Sequence, residues 1–149
     1  MEYINVFGLV FMVVIMVPNI IFAIRNKEGF INRYQNKALE AVEEIGRYGC
    51  FVFMIFRVPS LTFGWWSHEA FTLYLVVDVI LILLYCLIWA LCFRKESLFR
   101  SLSLSIIPSI VFIFSGIMMR RMIVVVFGVI FAAAHIYITY NSGKKSRVI

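Results

Sequence analysis

The chain has 149 residues, 63% of them hydrophobic, and a mean hydropathy of +0.96. Soluble domains run at roughly 45–50% apolar residues, and a water-soluble fold of this length has too little interior to hide the excess. A formal charge of +6 and a pI near 9.5 would suit a nucleic-acid binder, but the basic residues stand in short segments between apolar runs, the pattern that sets membrane topology. Nucleic acid is therefore excluded as a partner, and the lipid bilayer is the first partner expected.

Spans need about 20 apolar residues. The first covers 4–24; its leading residues carry Glu2, no basic stretch and no small-residue cleavage pattern, so a retained helix is expected and not a signal peptide. The following segment repeats Phe30, Tyr34, Ala38, Leu39, Val42 and Ile45 at helical spacing, with Lys37, Glu40, Glu43 and Glu44 mostly opposite. It predicts an amphipathic helix over 30–47 that lies on the inner surface or leads into the next span. Glu43 and Arg47 are spaced for an i,i+4 pair.

The second and third spans cover 48–66 and 70–93, joined by a short turn whose Trp65 and Trp66, with Tyr74, suit an outer interface. The last two cover 102–119 and 122–140, parted by Arg120 and Arg121. A single helix over 102–140 would overrun a bilayer at about 1.5 Å per residue. A hairpin near Gly116–Arg121 resolves this, with four spans and a re-entrant pair as the alternative. The tail 141–149 is short and basic. An all-α, polytopic bundle in one domain results, with about five membrane helices.

Arg25, Lys27, Arg33, Lys37 and Arg47, then Arg94, Lys95 and Arg100, then Lys144, Lys145 and Arg147 alternate with an opposite side holding only Arg120 and Arg121. The bias predicts an outer N-terminus and a cytoplasmic C-terminus in the plasma membrane.

Arg57 is the candidate of most interest, because a guanidinium inside a span costs about 2.5–3.5 kcal/mol and is normally partnered. Asp78 is the acid well inside a span. Each lies nine residues from an outer end, Trp66 or Glu69, hence at a depth of about 13 Å. The spacing predicts an Arg57–Asp78 pair, which either fixes helix packing or borders a site for an anionic headgroup, an ion or a proton. A second polar group, Asn19, Glu44, Arg47 and His135, with Ser105 and Ser109 about Pro108, is expected near the inner face. It can bind phosphate or relay protons, or serve as ordinary glue between membrane helices.

Neither the two histidines nor Cys50, Cys86 and Cys92 have metal-ligand spacing, and no nucleotide, serine-hydrolase or metalloprotease motif is present. No cofactor, metal or catalytic residue is expected. "VPNIIFAI", "EEIGRYGCFVFMIF", "LSIIPSIVFIFSGI" and "AAAHIYITYNSGK" together resemble small polytopic membrane proteins of Gram-positive bacteria, a resemblance that implies location and no activity. The leading expectation is a binding or accessory role, as a subunit of a complex or a homo-oligomer. A carrier using Arg57 and Asp78, or a lipid enzyme at the inner headgroup level, are the alternatives.

Overall fold

The structure, a computed structural model, describes residues 3–25, 36–93 and 97–146. Five α-helices account for nearly all of them: α1 (Val6–Arg25), α2 (Lys37–Ile55), α3 (His68–Cys92), α4 (Leu98–Met118) and α5 (Met122–Ser146), with a short 3-10 turn at Pro59–Leu61. Helix starts follow local chemistry. The side chains of Asn36, Ser67 and Ser97 accept the amides of Leu39, Ala70 and Arg100 and so cap α2, α3 and α4.

Four helices, α1, α3, α4 and α5, are long and apolar enough to cross a membrane. Their outward faces are apolar: Leu83 and Leu91 of α3 are 64% and 69% exposed, surface that only lipid or another apolar partner can cover. α1 packs on α3 and α2, α3 on α4, α4 on α5, and α5 returns to α2. The helices alternate in direction, so the starts of α1, α3 and α5 and the ends of α2 and α4 share one end of the bundle. This is the Arg121 end; the other is the Arg100 end.

α2 differs from the expected second span. The region 48–66 is not one helix: α2 stops at Ile55, Phe56 is extended (φ −92°, ψ 133°), and the chain pairs with the segment before α1 through an antiparallel Ile4–Phe56 bridge. Pro59 cannot donate a backbone hydrogen bond, and the residue before a proline favours extended backbone. Val58 is extended accordingly. At its other end α2 takes in 37–47 of the predicted amphipathic segment as its own first half; residues 30–35 lie outside the described residues.

The α2–α5 seam is built on glycine. A Cβ on Gly46 would stand 2.8 Å from the backbone nitrogen of Phe131, and one on Gly49 would meet the Phe127 ring. Phe53 stacks on that ring one turn further along. In α4–α5, Gly116 meets Val125 and Gly128 meets Ile113 in the same way, the close approach by which membrane helices gain dispersion contact.

Candidate functional site at the Arg121 end

The last turn of α2 leaves carbonyls that need donors. Arg121 Nη1 donates to the Phe53 and Met54 carbonyls at 2.9 and 3.2 Å, and the backbone amide of Asn5 donates to the Ile55 carbonyl at 2.7 Å. The Asn5 side-chain amide also donates to the Met54 carbonyl, to the Tyr74 hydroxyl and towards Met119 Sδ. One buried asparagine thus joins α1 to α2, α3 and the end of α4.

Arg57 lies in the extended strand beyond α2, where its amide donates to the Tyr3 carbonyl at 2.7 Å. It is at the bundle end and not inside a helical span, which corrects the depth argument. Nor do Arg57 and Asp78 form an ion pair among the described residues. Asp78 is fully buried one turn further into α3 than Tyr74 and accepts a 2.5 Å hydrogen bond from Ser115 of α4; its other oxygen has no hydrogen-bonding partner. The matched count from Trp66 and Glu69 fails because residues 56–67 are largely extended or turn, so 1.5 Å per residue does not apply to them.

The charge of Arg57 acts on a second arginine at the same bundle end. Burial, and then the positive charge of Arg57, draw the Arg121 guanidinium down to about 10. Arg121 is 3% exposed, and the Nε atoms of both arginines are buried without a hydrogen-bonding partner among the described residues. No carboxylate forms a salt bridge with either among the described residues. The site therefore consists of two neighbouring cations with spare donors, Tyr74 and Asn5 beside them, and Asp78–Ser115 beneath.

The other predicted residues divide between two places. Asn19 donates to the Tyr85 hydroxyl at 2.7 Å and to the Ile15 carbonyl, joining α1 to α3 beside Pro18. It does not meet Glu44, Arg47 or His135. His135 Nδ1 lies 3.0 Å from Glu43, with the imidazole stacked on Phe131, and Arg47 approaches Glu43 at 3.9 Å and Glu44 at 4.0 Å. Glu43, and not Glu44, is the hub that joins α2 to α5.

Sequence reading missed Asn5, Ser115 and the inward role of Arg121. The available signal was the Arg-Arg pair on an otherwise weakly basic side. No three His, Cys, Asp or Glu residues cluster to hold a metal among the described residues, and Cys50, Cys86 and Cys92 are free thiols. No protein-family model matches the chain, and no curated protein or solved structure is significantly similar to it.

Proposed function

We propose that the protein is a small integral membrane protein of the cell membrane that binds an anionic group at the Arg57–Arg121 site. The observation that carries this reading is Arg121, almost wholly buried and within reach of the charge of Arg57, each with a buried Nε that lacks a hydrogen-bonding partner and neither in a salt bridge with a carboxylate among the described residues. Two like charges repel each other and keep unsatisfied donors unless a counter-charge joins them. A phosphate or carboxylate supplies that charge and acceptors that match guanidinium geometry.

In this reading α2 is a fifth crossing, with Glu43 and Gly46 of its polar first half turned onto α5, the N-terminus outside and the C-terminus inside. Binding or accessory function is the role that fits so small a bundle, with a protein partner or a second copy completing it. A carrier role is the second reading, favoured by the buried Asp78–Ser115 hydrogen bond that lies next beneath the arginines.

Native mass spectrometry of protein gently extracted from its own membrane tests the proposal. A retained anionic molecule that disappears with Arg57→Gln supports it. A chain that retains none, or retains it equally well after the substitution, overturns it. A stoichiometric foreign subunit would assign the accessory role.

A further inference from the structure

The two arginines of the α4–α5 turn face opposite ways, and the outward one defines a different site. Arg120 adopts φ 50°, in the left-handed region that is unfavourable for a residue with a Cβ. The turn is closed by hydrogen bonds from the Arg120 amide to the Ile117 carbonyl and from the Arg121 amide to the Gly116 carbonyl, a geometry in which glycine is usual at the left-handed position. A strained residue that is not glycine points to a use for its side chain.

Arg120 lies over the Trp66 ring at 4.8 Å, with Phe63 at 6.0 Å, and Trp66 is itself fixed by an Nε1–H hydrogen bond of 3.0 Å to the Ile117 carbonyl. Beside this stack an open groove of about 660 Å³ runs between α3 and α4, within the size range of roughly 300–1,000 Å³ that small molecules occupy. Leu73, Val76, Ile117 and Met118 make it apolar, while Glu69 stands on its wall and Trp66 links it to Arg120.

We propose that this groove holds one aminophospholipid from the leaflet at the Arg121 end, with an acyl chain along Leu73, Val76 and Ile117, its phosphate on Arg120 and its primary ammonium on Glu69. The choice of occupant follows from charge. A cation and a carboxylate flanking one apolar groove complement a zwitterion. A purely anionic headgroup gains Arg120 but meets Glu69, and a free phosphate leaves the apolar wall uncovered. The quaternary ammonium of a choline lipid has no N–H to donate to Glu69.

The test uses the full chain in nanodiscs with equal parts of phosphatidylethanolamine, phosphatidylcholine and phosphatidylglycerol, read by native mass spectrometry of lipid adducts. The expected result is retention of phosphatidylethanolamine about tenfold over the others, the effect of one charge-assisted hydrogen bond. Glu69→Gln abolishes its preference over phosphatidylcholine while phospholipid is still retained, Arg120→Gln lowers retention of all three, and Val76→Trp removes the adduct. Glu69 is exposed, so its variant tests the headgroup assignment even if substitution at Arg120 perturbs the turn. Adducts in bulk proportion, preferential phosphatidylglycerol, a preference that survives Glu69→Gln, or an adduct that survives Val76→Trp would overturn the proposal. The site uses neither Arg57 nor Arg121, so Arg57→Gln leaves this adduct in place and the two readings fail separately.

Discussion

Arginine, more than any other residue type, organises both ends of this molecule. Arg121 closes the end of α2, and Arg100 does the same for α3: its Nη1 donates to the Cys92 and Phe93 carbonyls, both at 3.2 Å, and its guanidinium lies 5.3 Å from the Phe22 ring centre. A cation at a helix C-terminus is favoured by the macrodipole, and the forked donor serves two carbonyls at once. Arg100→Met should therefore destabilise the protein by about 2–3 kcal/mol, the cost of stranding partly buried carbonyls, while Arg100→Lys recovers part of that; thermal unfolding in a fixed detergent measures both. These roles were not legible in the sequence, where Arg100 and Arg121 read as topology signals. Charge bias tells which side an arginine is on, but not whether its side chain turns inward to a neighbouring helix end.

Among the elements, α2 is the unusual one. Its first half carries Lys37, Glu40, Glu43, Glu44 and Arg47, yet its glycine face packs closely on α5. Gly46→Ala brings a Cβ against the Phe131 backbone, which cannot rotate away, so a loss of about 1–3 kcal/mol is expected, seen as faster proteolysis within α2. The Glu43–His135 contact holds the same two helices. Glu43→Gln and His135→Gln should each lower the unfolding midpoint, and the double substitution should lower it by less than the sum; additive losses would remove the pair from the account.

At the scale of the whole molecule, apolar run length was the dependable signal. The runs containing α1, α3, α4 and α5 are long and nearly free of charge, so the bilayer requirement alone marks them out. The run at 48–66 was misleading because apolar composition does not distinguish a helix from an extended strand packed on a bundle end, and the helix ends at Ile55, before Pro59. The site was half legible: Arg57 stood out as a charge in an apolar run, but its neighbour Arg121 is remote in sequence, and nothing local announces a contact through the start of α1. Orientation remains the proposal most directly testable. A single cysteine at Ser97, in a background lacking the native thiols, should stay unreactive to an impermeant maleimide in intact cells and react after lysis; labelling of intact cells would invert the topology.

The reliance of α2 on α5 also bears on biosynthesis. On the five-crossing reading, α2 leaves the ribosome with a polar half and an uncovered glycine face, and α5, which covers that face, is made only after α3 and α4. Before then the membrane surface is the favourable place for α2, its charges in water and its apolar residues in the headgroup layer. Insertion of α2 is thereby coupled to synthesis of α5: a product truncated before α5 exposes α2 to proteases on the ribosomal side, and one that includes α5 withdraws it. On this reading α5 acts as an assembly checkpoint for α2.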